Sequence, residues 1–392
     1  MDSEKVIKRD NEYVLHTYAR NPIVLEKGHG LYAEGPEGQK YLDFTSGIGV
    51  NSLGYCDMTW AEAVSGQAHK LQHTSNLYYT APCGKLAKKL CKRTGMSKVF
   101  FGNSGAEANE GAIKAARKYS FDKYGADRYN VITLVNSFHG RTIATLTATG
   151  QDAFHQYFYP FMEGFRYADA NDLESVKAEG GKDVCAVMLE LVQGEGGVLP
   201  MEPDFVRDLA ALCAERDWLM LVDEVQTGIG RTGALFAYQQ YGVQPDAASF
   251  AKGIAGGLPM GGFLVNEKCR NVLGAGMHGS TFGGNPIAAS AALTVLDILD
   301  EDALQAVKEK GAYLRAGIEA LGKKSIGSTR GLGLMIGIAV KEGHTNKALA
   351  AQLVQNGLLV LTAGPDLRLL PPLTITKEEM DKGLAILARV LE

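Results

Sequence analysis

The six cysteines include no C-x-x-C pair: Cys56, Cys83, Cys91, Cys185, Cys213 and Cys269 are scattered along 392 residues. Such spacing offers neither a metal cage nor a disulfide framework, and it reads as reduced core thiols. The first residues, "MDSEKVIKRDNEY", lack the apolar core of a secretory signal. The longest apolar runs are too short for a membrane span, so a cytoplasmic location is expected. Charge of one sign is also missing. Forty basic residues against 44 acidic ones leave a net charge of −4, which gives no electrostatic footprint for nucleic acid or an anionic membrane. Walker A, H-E-x-x-H and G-x-S-x-G patterns are absent, and no metal is expected.

What the chain has in excess is glycine, 47 residues or about 12% against an ordinary ~7%. Glycine serves tight turns and close approaches of backbone to ligand. Charged residues at 21% and apolar residues at 46% are an ordinary soluble balance. The length is too great for one small core and implies two domains, or a large domain with a smaller appendage.

Residues 23–47 read as β-structure around the turn "EGPEGQ". From about residue 60 short apolar runs alternate with helical segments: "KVFF" (98–101), "NVITLV" (130–135), "CAVMLEL" (185–191), "WLMLVDE" (218–224), "AASFA" (247–251) and "GGFLV" (261–265). Amphipathic helices such as 105–119 and 204–216 lie between them. This alternation predicts an α/β architecture with a buried, largely parallel sheet. From 287 two long helical stretches, the strands "LGLMIGIAV" and "LRLL" and a last helix suggest a separate α+β unit. The expected division is an N-terminal segment, 1–59, belonging to a small domain; a large cofactor-binding domain, 60–286; and the C-terminal part of the small domain, 287–392.

Within "VDEVQTGIGRTG" (222–233), Gly228, Gly230 and Gly233 spell G-x-G-x-x-G. A dinucleotide turn needs its first glycine directly after the strand and a helix opening at the third. Here Glu224–Thr227 intervene, so a dehydrogenase is disfavoured. Asp223 ends an apolar strand, where ligands of open α/β sheets bind, although an acid there can also simply cap the next turn. "KVFFGNSGAEANEGAIKAARKY" is strand, small-residue turn, helix. Ser104, Gly105 and Ala106 stand where free N–H groups and the helix dipole favour a phosphate. An ordinary capping box from Ser104 to Glu107 is compatible with the same turn. Lys252 follows the run "AASFA" and precedes glycines. Desolvated, it would be a nucleophile toward carbonyls; otherwise it is a loop lysine. "VNSFHGRTIATL" gathers an aromatic, a histidine and an arginine after a strand. A phosphate cradle, a carboxylate for a pyridinium nitrogen and a reactive lysine are what pyridoxal 5'-phosphate requires.

The ordered motifs "NSGAEANEGAIKAAR", "SFHGRT", "QGEGG", "LVDEVQTGIGRTG", "FAKGIAGGLPMG" and "HGSTFGGNP" resemble those of the class-III (subgroup II, ω-type) pyridoxal-phosphate aminotransferases. The resemblance spans nearly the whole chain, and within the class it is greatest to the acetylornithine aminotransferases. It implies the type-I pyridoxal-phosphate fold, a homodimer and transfer of an amino group in two steps. By resemblance, Lys252 joins the cofactor and moves the proton, and Asp223 pairs with the pyridine nitrogen. Ser104, Gly105 and Ala106 bind the phosphate, with Thr281 reaching the phosphate of the neighbouring subunit. Phe138 stacks on the ring and Gln226 lies near its hydroxyl. Arg141 clamps the substrate α-carboxylate, with Ser280 also on the substrate side, and Glu195 and Arg368 form a gate. Glu190 is an acid without an assigned task.

Two departures stand out. The usual E-P-[IV]-Q segment reads Glu190-Leu191-Val192-Gln193, and the usual His-rich turn reads "GYCDMTW" (54–60), which leaves the start of the next helix open. The resemblance implies N-acetylornithine as donor and 2-oxoglutarate as acceptor, in arginine biosynthesis. Ornithine, succinylornithine or 4-aminobutyrate are alternative donors on the same fold. A racemase or mutase is a rival chemistry, and a non-enzymatic binding protein would need Lys252 to be incidental.

Overall fold

The computed structural model describes residues 2–391. At its centre is a seven-stranded sheet in the order 98–102, 261–265, 247–250, 219–223, 184–189, 130–134, 165–168. Six strands run in one direction. Gly261–Val265 alone is reversed, antiparallel to both of its neighbours. The apolar runs become strands because both faces are covered. Every residue of Val184–Leu189 and of Leu219–Asp223 is buried, which is why these segments read as continuous apolar stretches rather than alternating ones. Each large side chain so enclosed contributes about 1.5–3 kcal/mol.

The helix Gly105–Tyr124 crosses this sheet. Its Ala- and Gly-rich face, Ala108 to Ala116, is buried, and small side chains let helix and sheet approach closely. Ser104, extended at φ −149° and ψ 165°, caps it through a bond from Glu107 N, and Gly125 at φ 85° ends it. The expected reciprocal box does not close on Ser104. The Glu107 carboxylate accepts from Asn103 N instead, one residue earlier, so it reaches over the turn rather than onto the cap.

Both chain ends build the remainder. Strands Lys27–His29, Tyr32–Glu34 and Lys40–Asp43 form a sheet whose fourth member, Leu358–Leu359, pairs parallel with Leu42–Asp43. A second antiparallel sheet comprises 326–332, 335–340, 366–369 and 361–363. Phe44 joins the two, giving its N–H to Leu359 O and accepting from Leu370 N. The next helix already starts within "GYCDMTW", at Met58, capped by Asp57 through Trp60 N.

Several elements were not anticipated. The polar N-terminus forms a helix, Ser3–Tyr13, that buries none of its residues. The strand Phe165–Ala168 and the helix Asn346–Gln355 also lack strong sequence signals. No helix is long and apolar enough to cross a membrane, and no group of three or more possible metal ligands occurs among the described residues.

Candidate active site

Because six strands point the same way, their carboxyl ends meet at one edge, and the side chains that follow them converge there. Asn103 and Ser104 follow the strand ending at Gly102. Phe138 and His139 follow Leu134, Glu190 follows Leu189, Asp223 ends its own strand, and Lys252 follows Phe250. The reversed strand enters from this edge through Leu258, Pro259 and Met260. Together they enclose a cavity of about 480 Å³. Of the residues singled out from sequence, Ser104, Gly105, Ala106, Phe138, Arg141, Asp223, Gln226 and Lys252 line it.

Asp223 is buried, 3% exposed. Its Oδ1 accepts from Val225 N at 3.0 Å and Ser249 Oγ at 3.4 Å. Oδ2 accepts from Asn109 Nδ2 at 2.7 Å and faces His139 Nδ1 at 2.8 Å. Asp223 therefore does cap the following turn, as the plainer reading held, but its other oxygen is held by two buried side chains. Asn109 also donates to His139 O at 2.7 Å, holding the backbone that carries the imidazole. Sequence reasoning missed Asn109; its only signal was a polar residue on the small-residue face of a buried helix. In the sequence His139 stands out only as a member of the cluster "VNSFHGRTIATL".

Lys252 sits at φ 47°, a left-handed backbone that a residue with a side chain adopts at a cost of about 1–3 kcal/mol and that concentrates at functional sites. Desolvation lowers its pKa, while the carboxylates of Glu195, Asp223 and Glu190 oppose that shift. A lysine more readily deprotonated is a better amine nucleophile.

Glu190 acquires a definite place. Its Oε1 accepts from Phe138 N at 2.8 Å and its Oε2 from Gly194 N at 3.1 Å. Burial, and then the charge of Asp223, pushes its pKa up to about 7. Gln193 adds a bond from Nε2 to Val135 O at 2.8 Å. The segment that lacks the usual proline is thus still stitched to the loop carrying Phe138.

At the phosphate turn, Gly105 has no room for a side chain: a Cβ would fall 2.7 Å from Val225 Cγ1. The N–H groups of Gly105 and Ala106 open the helix and have no intrahelical acceptor. Arg141 is exposed, with its guanidinium carbon 4.3 Å from the Phe154 ring centroid and 5.5 Å from that of Phe138.

The remaining candidates lie outside the lining. Arg368, almost fully buried, ion-pairs through Nη1 with Glu195 Oε1 at 2.7 Å and donates to Gln226 Oε1 at 3.0 Å. Gln226 lines the cavity, so the pair borders it. Ser280 Oγ accepts from Asn103 Nδ2 at 3.1 Å, one residue from the phosphate turn. Thr281 is exposed and does not line the cavity.

The three glycines of the false fingerprint have another use. A Cβ on Gly233 would meet Lys308 Cγ at 2.2 Å, and one on Gly230 would crowd Leu304 and Leu373 at 3.1 Å. These two let the loop after Asp223 pack beneath the helix Glu301–Ala320, Gly228 is crowded by Glu224 O at 2.7 Å within its own turn, and no helix opens at the third glycine.

The cavity fits pyridoxal phosphate. The helix N-terminus offers unpaired N–H groups for a phosphate. The buried carboxylate of Asp223 suits a pyridinium nitrogen, Phe138 offers a ring face, and Lys252 supplies the amine.

The family model for class-III aminotransferases matches residues 13–391. The acetylornithine aminotransferase of Haemophilus ducreyi is 51% identical, covering 100% of this chain and 99% of its own. The solved acetylornithine aminotransferase of Elizabethkingia anophelis superposes with a TM-score of 0.88 at 33% identity, over 100% of this chain and 99% of that one. An ornithine aminotransferase structure from Toxoplasma gondii, with pyridoxal phosphate at partial occupancy in its active site, reaches 0.94 at 31% identity, over 99% and 94%.

Proposed function

The chain belongs to the class-III aminotransferases, and from that premise we propose that it moves the δ-amino group of N-acetylornithine to 2-oxoglutarate, yielding N-acetylglutamate semialdehyde and glutamate in arginine biosynthesis. The family depends on pyridoxal phosphate, which when bound supplies an electron sink for the carbon that loses its proton. The chain's own residues do the rest. Lys252 would hold the cofactor through its amine and would move the proton that the substrate carbon loses. Asp223, fixed by Asn109 and His139, keeps the pyridine nitrogen protonated. Ser104, Gly105 and Ala106 anchor the phosphate, and Phe138 covers the ring. Arg141 clamps the donor's α-carboxylate, a task suited to a planar, always-charged fork, and Ser280 lies on the substrate side.

The observation that carries the substrate reading is the Arg368–Glu195 pair, bonded to Gln226 at the cavity border. Paired, it leaves room for a long donor whose α-nitrogen is acylated and uncharged. Released, Arg368 takes a carboxylate of glutamate or 2-oxoglutarate. One gate then serves two substrates of different shape. The likeness to ornithine aminotransferases favours a second reading, free ornithine as donor. The test compares kcat/KM for acetylornithine, succinylornithine, ornithine and 4-aminobutyrate with 2-oxoglutarate. Acetylornithine should lead, with succinylornithine next, because one small group alters discrimination by only ~10–200-fold. A lead by ornithine or 4-aminobutyrate overturns the reading.

A homodimer is part of the proposal. Thr281 is exposed, as are Leu77 at 80%, Tyr78 at 72% and Phe282 at 61%. These large apolar groups suit burial against a second copy, whose phosphate Thr281 would reach. A cytoplasmic location is supported by six free cysteines. The division into residues 1–59, 60–286 and 287–392 is likewise proposed, supported by the shared sheet of residues 27–43 and 358–359.

A further inference from the structure

The amide of Gln226 lies between the two halves of the site. Its Oε1 accepts from Arg368 Nη1. Arginine has donors and no acceptor, so the amide atom facing it must be the oxygen. Nε2 therefore points elsewhere. It bonds to no described residue, is not sealed away as a buried orphan, and belongs to a side chain that lines the cavity. One face of the amide lies flat on Gly194, where a Cβ would come within 2.2 Å of Nε2 and 2.5 Å of Oε1. The amide thus fills the space a side chain would take.

Arg368 Nη1 has two hydrogens and three oxygens in reach: Glu195 Oε1 at 2.7 Å, Gly194 O at 3.0 Å and Gln226 Oε1 at 3.0 Å. No movement of that nitrogen can leave the Gln226 bond untouched. We infer that Gln226 is the positioning residue that transmits the state of the Glu195–Arg368 pair to the cofactor. Arg368 holds Oε1 and so presents Nε2 as a donor to the cofactor's ring oxygen. When a substrate carboxylate draws Arg368 away, the amide is free to turn and that donor weakens. A donor favours the anionic form of an oxygen, so the two substrates meet a cofactor whose oxygen is supported differently. The inference deepens the gate reading and rests on it.

The test titrates the visible band of the cofactor-loaded enzyme in four proteins: wild type, Gln226→Leu, Arg368→Met and the double variant. Asp223, Glu190, Lys252 and Arg141 line the same cavity, and Glu195 and Arg368 border it, so their charges contribute to every titration and cancel in the double-mutant comparison. In the wild-type background Arg368→Met should raise the midpoint by about one pH unit, the size of a hydrogen bond to a charged oxygen. In the Gln226→Leu background the same change should move it by less than half as much. Equal shifts in both backgrounds would mean a charge acting through space and would overturn the inference, as would no shift in either. Gln226→Met, which cannot donate and adds no charge, should match Gln226→Leu in midpoint; it serves if the leucine variant does not fold. A wild type without a visible band, or an Arg368→Met protein with unchanged KM for 2-oxoglutarate, would remove the gate reading and the inference with it. Both outcomes are seen independently of the midpoints.

Discussion

Neutralising the gate acid, Glu195→Gln, should change one half-reaction and spare the other. In the resting protein Glu195 holds Arg368 through a 2.7 Å ion pair, with the arginine side chain 3% exposed and the acid 30% exposed. A hydrogen bond to a charged partner in such surroundings is worth about 1.5–3 kcal/mol, and the open side of Glu195 places it at the lower end of that range. On the proposed gate, Arg368 gives up this bond before it takes a glutamate carboxylate, so the wild type would bear that cost in the glutamate half-reaction. With glutamine at 195 the cost falls by roughly 1.4 kcal/mol, a factor of about ten. Bonds from Arg368 to Gly194 O and Gln226 Oε1 remain, which keeps the gain from being larger. The assay is single-turnover absorbance of the loaded cofactor with glutamate alone and with acetylornithine alone. The expected result is a rise of about tenfold in kcat/KM for glutamate, with an unchanged or lower value for acetylornithine. A change below twofold for glutamate, or equal changes for both substrates, would refute the gate.

Lys252→Ala should fold normally yet lose turnover, and borohydride should no longer fix the cofactor to the chain; near-normal activity would remove Lys252 from the site. Sedimentation at assay concentration should give a dimer, and a fully active monomer would exclude a contribution of Thr281 to a neighbouring phosphate. Glu224, fully buried, has a pKa raised by burial to about 7. Its native state keeps a proton that the unfolded chain has lost, so its contribution is most favourable below the ordinary glutamate value of 4.5 and is lost as pH rises toward 7. Glu224→Gln should therefore flatten the fall of Tm across that window, whatever its uniform cost from disturbing the bonds to Thr227 and Tyr238; parallel profiles for both proteins would show that Glu224 is ionised throughout.

The strand ends could be read from the chain because burial on both faces leaves an unmistakable apolar run, and a charge at its end, as in Asp223, or just beyond it, as in Lys252, stands out. The helix start at Ser104 was readable as well, since that serine and the small residues after it mark an N-cap and first turn. Arg368 was different. "LRLL" offers no local sign that its arginine is buried, and only the family likeness pointed to it. Asn109 gave almost no signal, because its role depends on a strand more than a hundred residues away bringing Asp223 within 2.7 Å. The helix Ser3–Tyr13 is hard to see in the sequence because it is strongly polar and none of its residues is fully buried. The box assigned to Ser104 and Glu107 had the right residues and one wrong partner, a shift of a single N–H that sequence spacing does not resolve.

The parallel pairing of Leu358–Leu359 with Leu42–Asp43 sets an order of events during synthesis. Lys252 leaves the ribosome with six of the seven central strands behind it and Gly261–Val265 soon after, but Arg368 follows more than a hundred residues later, roughly 5 to 25 s at ordinary elongation rates. Until then strand 40–43 has an unpaired edge and Gln226 has no arginine to orient it. A nascent chain can therefore carry a nearly finished cofactor cavity that lacks its substrate selector. On the proposed gate, the residues that select the substrate are the last of the site to be synthesised.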